Sequence, residues 1–226
     1  ERMRREFTAN VSHELKTPLQ SIIGSAELLE NGLVKPEDQL RFLSRIHQEA
    51  DRLVALINDI LRLSQLDEGG ALPHEQVSVL ELAQEAARSL TEQEAAQAVH
   101  ISVTGTAGTV FGVRRLLYEI ARNLCENAVK YNVPGGSVTV EVAETDRDVT
   151  LLVRDTGIGI PEGDQSRVFE RFYRVDKSHS RAIGGTGLGL SIVKHAVAYH
   201  HGTLRLESQP GKGTVITVTL PKEPTE

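Results

Sequence analysis

Leu43, Ile46, Ala50, Leu53, Ile57 and Ile60 recur at alternating steps of three and four residues, which puts them along one side of a helix. Phe42, Leu56 and Leu63 widen that apolar face beyond what one partner helix can cover. Upstream, Val11, Leu15, Pro18, Ile22 and Leu29 fall in a single stripe about 60° wide when the chain is wound at about 100° per residue. Asn31-Gly32 suits the end of this first helix. Pro36, followed by Glu37 and Asp38, suits the opening turn of the second, with acids at its positive end. Residues 1–67 are therefore expected to form an α-helical hairpin. Two helices leave much of this surface wet, and a second copy of the chain is the simplest cover, giving a dimeric four-helix bundle. A lone hairpin docked on the rest of the chain is the alternative.

Glu68-Gly69-Gly70-Ala71-Leu72-Pro73 has breakers at both ends, so residues 68–74 read as a linker, and after it the periodicity changes. A short strand near Gln76–Val79 precedes a helix over Leu80–Ala96. His100–Thr104 reads as a strand and Val113–Tyr131 as a helix. Val138–Glu144 and Val149–Arg154 alternate apolar and polar residues around Thr145-Asp146-Arg147, a hairpin signal. Leu188–His200 is helical in pattern, and strands Thr203–Ser208 and Thr214–Leu220 flank a glycine turn. Hairpins mixed with helices, without repeating strand–helix–strand units, indicate an α+β two-layer sandwich over residues 75–226.

Composition sets bounds on function. The 226 residues allow one large or two modest domains, and a net charge of -6 spread through the chain gives no nucleic-acid surface. Arg2, Arg4 and Arg5 are too few, and too interspersed with acids, to make a phosphate-binding arm. Cys125 is the only cysteine, so no internal disulfide can form and a reducing cytoplasm is natural. No apolar run approaches the roughly 18 residues of a membrane span. The chain begins inside a helical pattern, as a truncated piece of a longer protein would.

Five stretches carry chemistry. On the first helix His13 lies about 200° from Val11, on the solvated side, with Thr17 one turn further on and Glu14 at the edge of that face. A neutral imidazole there is a nucleophile, and the neighbouring carboxylate can accept or orient its ring proton. Taken alone this is an ordinary surface histidine. In Asn123-Leu124-Cys125-Glu126-Asn127-Ala128-Val129-Lys130-Tyr131 two asparagines stand four apart on one face. Their amide oxygens can ligate Mg²⁺, a lysine can meet phosphate and a tyrosine ring can stack on a purine. In Asp155-Thr156-Gly157-Ile158-Gly159-Ile160 a carboxylate at a strand end can accept from an exocyclic amine, and Gly157 and Gly159 permit close backbone approach. The bland reading is a common strand-to-turn exit. Phe169-Glu170-Arg171-Phe172-Tyr173-Arg174 holds core aromatics and, in Arg174, a guanidinium able to bind a phosphoryl group bidentately. Gly184-Gly185-Thr186-Gly187-Leu188-Gly189-Leu190 enters a helix and offers free N–H groups at its positive end, yet it is neither a Walker loop nor a Rossmann turn. Asp176–Ile183, just before it, has no pattern and reads as a lid.

The string from Phe7 to Leu19 resembles the phosphoacceptor box of sensor histidine kinases. The order of the other four stretches resembles the ATP-binding domain shared by histidine kinases, gyrase, Hsp90 chaperones and mismatch-repair ATPases. The resemblance covers nearly the whole chain. It implies that Asn127 holds Mg²⁺, that Asn123 and Lys130 meet the phosphates of ATP, and that Tyr131 lies against the base whose amine Asp155 reads. It implies that Gly185, Thr186, Gly187, Leu188 and Gly189 wrap the phosphates and that Arg174 assists transfer. The γ-phosphoryl group then passes to His13, beside Glu14, and on to an aspartate of a response regulator receiver domain. Thr17 accompanies phosphatase activity toward that regulator. The relatives that hydrolyse ATP carry a glutamate where this chain has Asn123, so transfer to His13 is favoured over transfer to water. The expected protein is a homodimer, the cytoplasmic region of a membrane-anchored sensor whose upstream segments are absent from this chain. An ATPase switch without a phosphoacceptor and a non-catalytic scaffold are the rival readings. His201 stands where the family often has Gly. His195, His200 and His201 lack the spacing of a helical metal pair and are expected to be structural or solvated.

Overall fold

The computed structural model describes residues 2–67, 72–91, 98–175 and 185–223. Glu68–Ala71 of the linker, Thr91's successors to Ala96 at the end of the expected helix, the stretch Asp176–Ile183 and Gly184 thus lie wholly or mainly outside the described residues, as do the side chains of Arg2, Arg4 and Arg5. The chain divides into two compact units, Glu1–Arg62 with Gly184–Thr186, and Leu63–Ile183 with Gly187–Glu226.

The first unit is the hairpin. Helix α1 spans Arg2–Glu30, a 3₁₀ turn spans Pro36–Asp38, and α2 spans Gln39–Asp67, its last turn lying in the second unit. Gly32, at φ +67°, closes α1 with a paired set of bonds: Leu33 N–H to Leu28 C=O at 3.0 Å and Gly32 N–H to Leu29 C=O at 3.1 Å. These take up carbonyls that the helix end leaves orphaned, and the left-handed backbone suits Gly. Along α1, Pro18 is buried and Val11, Leu15, Ile22 and Leu29 are half-buried, which is the expected stripe. Leu19, Ile23, Leu40, Leu43, Val54, Ile57 and Leu61 remain exposed. Among the described residues no helix is long and apolar enough to cross a membrane.

The second unit is a layered α+β domain. Its elements are β1 (Glu75–Ser78), α3 (Val79–Ser89), β2 (His100–Gly105), β3 (Thr109–Gly112), α4 (Arg114–Lys130), β4 (Ser137–Glu144), β5 (Asp148–Asp155), the short α5 (Glu162–Gln165), α6 (Gly189–Tyr199), β6 (Thr203–Gln209) and β7 (Gly213–Pro221). A five-stranded sheet runs in the order β2-β4-β5-β7-β6, parallel at β2–β4 and antiparallel elsewhere, while β1 pairs with β3 in a separate ribbon. Register aligns Val103, Val140, Val153, Ile216 and Leu206 across all five strands. With Val138, Leu151 and Val218 they form the sheet's share of a core completed by Leu82, Ile120, Leu124, Val193 and Val197 from α3, α4 and α6. Alternation along each strand places these residues on one face, where three helices exclude water.

The structure departs from the expected elements in two places. The helix expected to run on from Leu80 closes at Ser89, where Leu90 N–H turns back to Ala87 C=O and the hydroxyls of Ser89 and Thr91 bond to carbonyls three residues behind. Hydroxyls that satisfy the local backbone compete with helix continuation. Strand β3 gave no signal because it is four residues long and its partner lies over thirty residues upstream. Asp155 is the last residue of β5, the strand-end position expected of it.

His200 is structural. Its Nδ1–H donates to Ala196 C=O at 2.7 Å and its Nε2 accepts from Val113 N–H at 3.0 Å, so the neutral ring ties α6 to the start of α4. Burial lowers its pKa, opposed by the Ala196 carbonyl and reinforced by His74 and His201.

Candidate functional site

In the first unit the chemistry stands in water. His13 has 73% of its side chain exposed, and its Nδ1 lies 3.8 Å from Glu14 Oε1. Nε2 has no partner among the described residues. Glu14 Oε2 lies 3.9 Å from Arg52 Nη2 on the facing helix, and Arg52 Nη1 lies 3.8 Å from Glu49 Oε2. The chain His13–Glu14–Arg52–Glu49 thus crosses the hairpin; neither Arg52 nor Glu49 had a motif to mark it. Thr17 donates its hydroxyl to His13 C=O at 3.2 Å, a back-bond beside the break that Pro18 makes in the helix ladder.

In the second unit the inward-facing row of β5, Val149, Leu151 and Val153, continues to Asp155. Period-two alternation therefore aims this carboxylate at the helix layer. Burial holds its pKa above the ordinary carboxylate value, while the N–H groups of Gly157 (2.8 Å) and Thr214 (3.2 Å) pull the other way. Both donors sit on Oδ1, and Oδ2 has no partner among the described residues. An oxygen of a half-buried carboxylate with spare capacity is an acceptor for an amine. Ile158 N–H reaches Tyr131 C=O at 3.0 Å, which joins this turn to the end of α4. A Cβ on Gly157 would lie 2.3 Å from Tyr131 O, and one on Gly159 would lie 2.0 Å from Gln209 O. What these two glycines make room for is neighbouring protein.

Asn123 and Asn127 share one face of α4, and Lys130 and Tyr131 close the helix, both half-buried. The opposite face, Ala121, Cys125 and Val129, is core. Gly189 begins α6 against the asparagines: a Cβ there would lie 2.8 Å from Asn123 Oδ1 and 3.9 Å from Asn127 Nδ2. Asn127's amide has no partner among the described residues. Two half-buried amides at a glycine loop suit a hard, hydrated cation such as Mg²⁺, which takes oxygen ligands and keeps waters. Gly187, at φ +74°, accepts from Phe172 N–H at 2.9 Å, and a Cβ on it would lie 3.3 Å from Arg174 Nε. Phe172 is itself left-handed at φ +65°. The aromatic turn and the glycine loop are thereby joined, which brings half-buried Arg174 beside Gly187. Leu188 is fully buried, and Gly185 and Thr186 are half-buried and belong to the first unit.

Several side chains that shape this region carried no sequence signal. Asn132 donates to the carbonyls of Ala128 and Ser137, and its oxygen takes Val133 N–H and the Thr156 hydroxyl. Gln165 holds the carbonyls of Ile160 and Ser208. Arg171 Nη2 lies 3.1 Å from His195 Nε2. Cys125 is buried in α4 and its thiol is pushed up to about 12, so it is not a nucleophile.

Residues 112–224 match the family described as histidine kinase-, DNA gyrase B-, and HSP90-like ATPase, and residues 3–69 match the His Kinase A (phospho-acceptor) domain. The chain is 42% identical over 228 residues to the sensor-like histidine kinase SenX3 of Mycolicibacterium smegmatis, covering 99% of this chain and 59% of that protein. It therefore spans less than two thirds of this relative's length. Among solved structures, the mycobacterial sensor histidine kinase MprB is 35% identical, with TM-score 0.56, over 68% of this chain and 100% of that one. The histidine kinase ThkA, in complex with the response regulator protein TrrA, shares the fold at TM-score 0.76 and 23% identity, over 97% of this chain and 62% of that one. With a phosphoacceptor match on the helices and an ATPase match on the sandwich, the chain belongs to the sensor histidine kinase family.

Proposed function

We propose that this chain is a kinase core that transfers the γ-phosphoryl group of ATP to His13 and then to an aspartate of a response regulator. In this reading residues 1–67 are the dimerising phosphoacceptor hairpin, 68–74 the linker and 75–226 the ATP-binding domain. The observation that carries it is His13 itself, exposed on α1 with a carboxylate beside Nδ1. The Nε2 lone pair forms the P–N bond as the bond from the γ-phosphorus to its bridging oxygen breaks. ADP leaves with that electron pair, and the proton on Nδ1 passes to Glu14.

Asp155 accepts the adenine amine and Tyr131 lies against the base. Lys130 and Arg174 meet negative phosphate oxygens, with the loop from Gly185 to Gly189 around them. Asn127 holds Mg²⁺, which supplies charge neutralisation on the polyphosphate. The exposed apolar residues of α1 and α2 form the interface between two copies, and the receiver domain of a regulator docks on the bundle to collect the phosphoryl group. The complex of ThkA with TrrA supports a partner of that class. A cytoplasmic site beneath a membrane-anchored sensor belongs to the same reading.

Incubation with γ-labelled ATP, then acid or base treatment of the protein, tests it. Label that is lost in acid and kept in base is phosphohistidine. Phosphate release without protein label means an ATPase switch, and neither means a scaffold.

A further inference from the structure

Glu119 is the one carboxylate among the buried residues of α4, on the same side of the helix as Asn123. It is 6% exposed, on a helix whose other buried members are apolar or the lone cysteine. Burying a carboxylate is costly unless it is hydrogen-bonded, and an aliphatic side chain would fill this position without that cost. Asn123, one turn along, is among the partners of Glu119. The Asn123 amide nitrogen donates to Glu119 C=O at 2.8 Å and to Glu119 Oε2 at 3.4 Å, so both amide hydrogens are taken. The amide oxygen is thereby turned the other way, toward Gly189. Flipped, Asn123 would set its oxygen against a carbonyl and a carboxylate, three acceptors with no donor among them.

We propose that Glu119 is a positioning residue of the nucleotide site that locks Asn123 with its oxygen facing the ligand. Phosphate oxygens at neutral pH are acceptors only, so Asn123 held this way cannot donate to them. It can accept from the water that a magnesium ion keeps, since those waters are strong donors. Asn123 therefore serves the hydrated metal, and Glu119 stands behind it as the group that fixes its direction. This rests on the reading of the site as one for Mg·ATP, and it replaces the phosphate contact expected of Asn123 with a contact to metal-bound water.

The test is ADP binding to the whole chain by calorimetry, once in excess Mg²⁺ and once in EDTA. Partners behind a metal's immediate ligands typically change metal affinity by about 10–100-fold. Glu119→Met is expected to lose about tenfold of the Mg²⁺-dependent gain in affinity while binding in EDTA stays within about twofold. Glu119→Gln keeps an acceptor oxygen for Asn123 and is expected to restore the gain. An unchanged gain in Glu119→Met, equal losses with and without Mg²⁺, or failure of Glu119→Gln to rescue would each overturn the proposal. If Glu119→Met does not fold, Asn123→Ser, which leaves Glu119 in place, must lose the same gain; retention of it overturns the proposal. Asn127→Ala is the control: wild-type ADP affinity in that variant under both conditions defeats the nucleotide-site reading itself, whatever Glu119 does.

Discussion

In the hairpin the proposed phosphoacceptor stands in solvent, and its proposed helpers come from the same helical turn: His13 is largely exposed, with Glu14 and Thr17 within four residues of it. In the second unit the groups proposed to meet nucleotide are half-buried and come from distant segments. Asp155 closes a sheet strand, Asn123 and Asn127 lie on a helix, and Gly187 and Gly189 enter another helix after a long interval. A nucleophile that must meet two different protein partners gains from exposure and a local, self-sufficient constellation. A site that must discriminate a base and hold a highly charged ligand gains from desolvation, which strengthens each hydrogen bond and charge contact. The hairpin should therefore tolerate loss of its catalytic side chains without losing its fold. In the sandwich, ligand residues and stability should be coupled.

The sharpest break of that contrast is His13→Gln. Labelling by γ-labelled ATP is expected to vanish, with ADP affinity and the thermal midpoint unchanged. Undiminished label, measured on the purified chain, would remove His13 as phosphoacceptor. Next comes Thr17→Ala. Autophosphorylation is expected to persist while the rate of regulator dephosphorylation falls by about 10²–10³, the size of effect when one positioned hydrogen-bonding group is lost. Its hydroxyl now rests on His13 C=O. Equal changes in both rates, or none, would assign Thr17 to that back-bond alone.

Asp155→Asn probes the coupling in the sandwich. Loss of a charged acceptor for the adenine amine is expected to weaken ADP binding by about tenfold to a hundredfold. Stability should move the opposite way. Because folding raises the Asp155 pKa, the native state binds its proton more readily than the unfolded chain. The fold is favoured below the ordinary carboxylate value, and that advantage is lost as pH rises through the raised value. At pH 7 the buried charge is a standing cost that the amide lacks. The variant is expected to melt higher than wild type at pH 7, with the difference shrinking below about pH 4. A lower midpoint at pH 7 would show that the bonds from Gly157 and Thr214 outweigh burial. The smallest effect is at His201, which sits at φ +55°. A left-handed backbone costs a residue with a Cβ about 1–2 kcal/mol, so His201→Gly should raise the midpoint by a few degrees with no change in ADP affinity.

The same contrast governs what could be read in the sequence. His13, Glu14 and Thr17 are legible because helical spacing alone puts them on one face. The helix of the two asparagines is legible for the same reason, with its apolar side showing at Ile120, Leu124 and Ala128. Partners across the fold are not legible: Thr214 reaches Asp155 from a strand 59 residues away, and Gln165 holds Ser208 across 43. Glu119 is hidden for another reason. In sequence it is one acid among many, and only burial marks it. The two-stranded ribbon of β1 and β3 was missed in half, since four residues hold too few alternations to stand out.

Helix α4 carries the core on one side and the asparagines on the other. Any ligand that grips the outer side adds its binding free energy to the stability of the whole sandwich. At a nucleotide concentration a hundredfold above its dissociation constant this amounts to about 2.7 kcal/mol, a substantial share of the stability of an ordinary domain. On the proposed reading, a cell rich in ATP holds the sandwich folded in part by its own substrate. Variants that destabilise it mildly should then be rescued by nucleotide, while those that also damage the outer face of α4 should not.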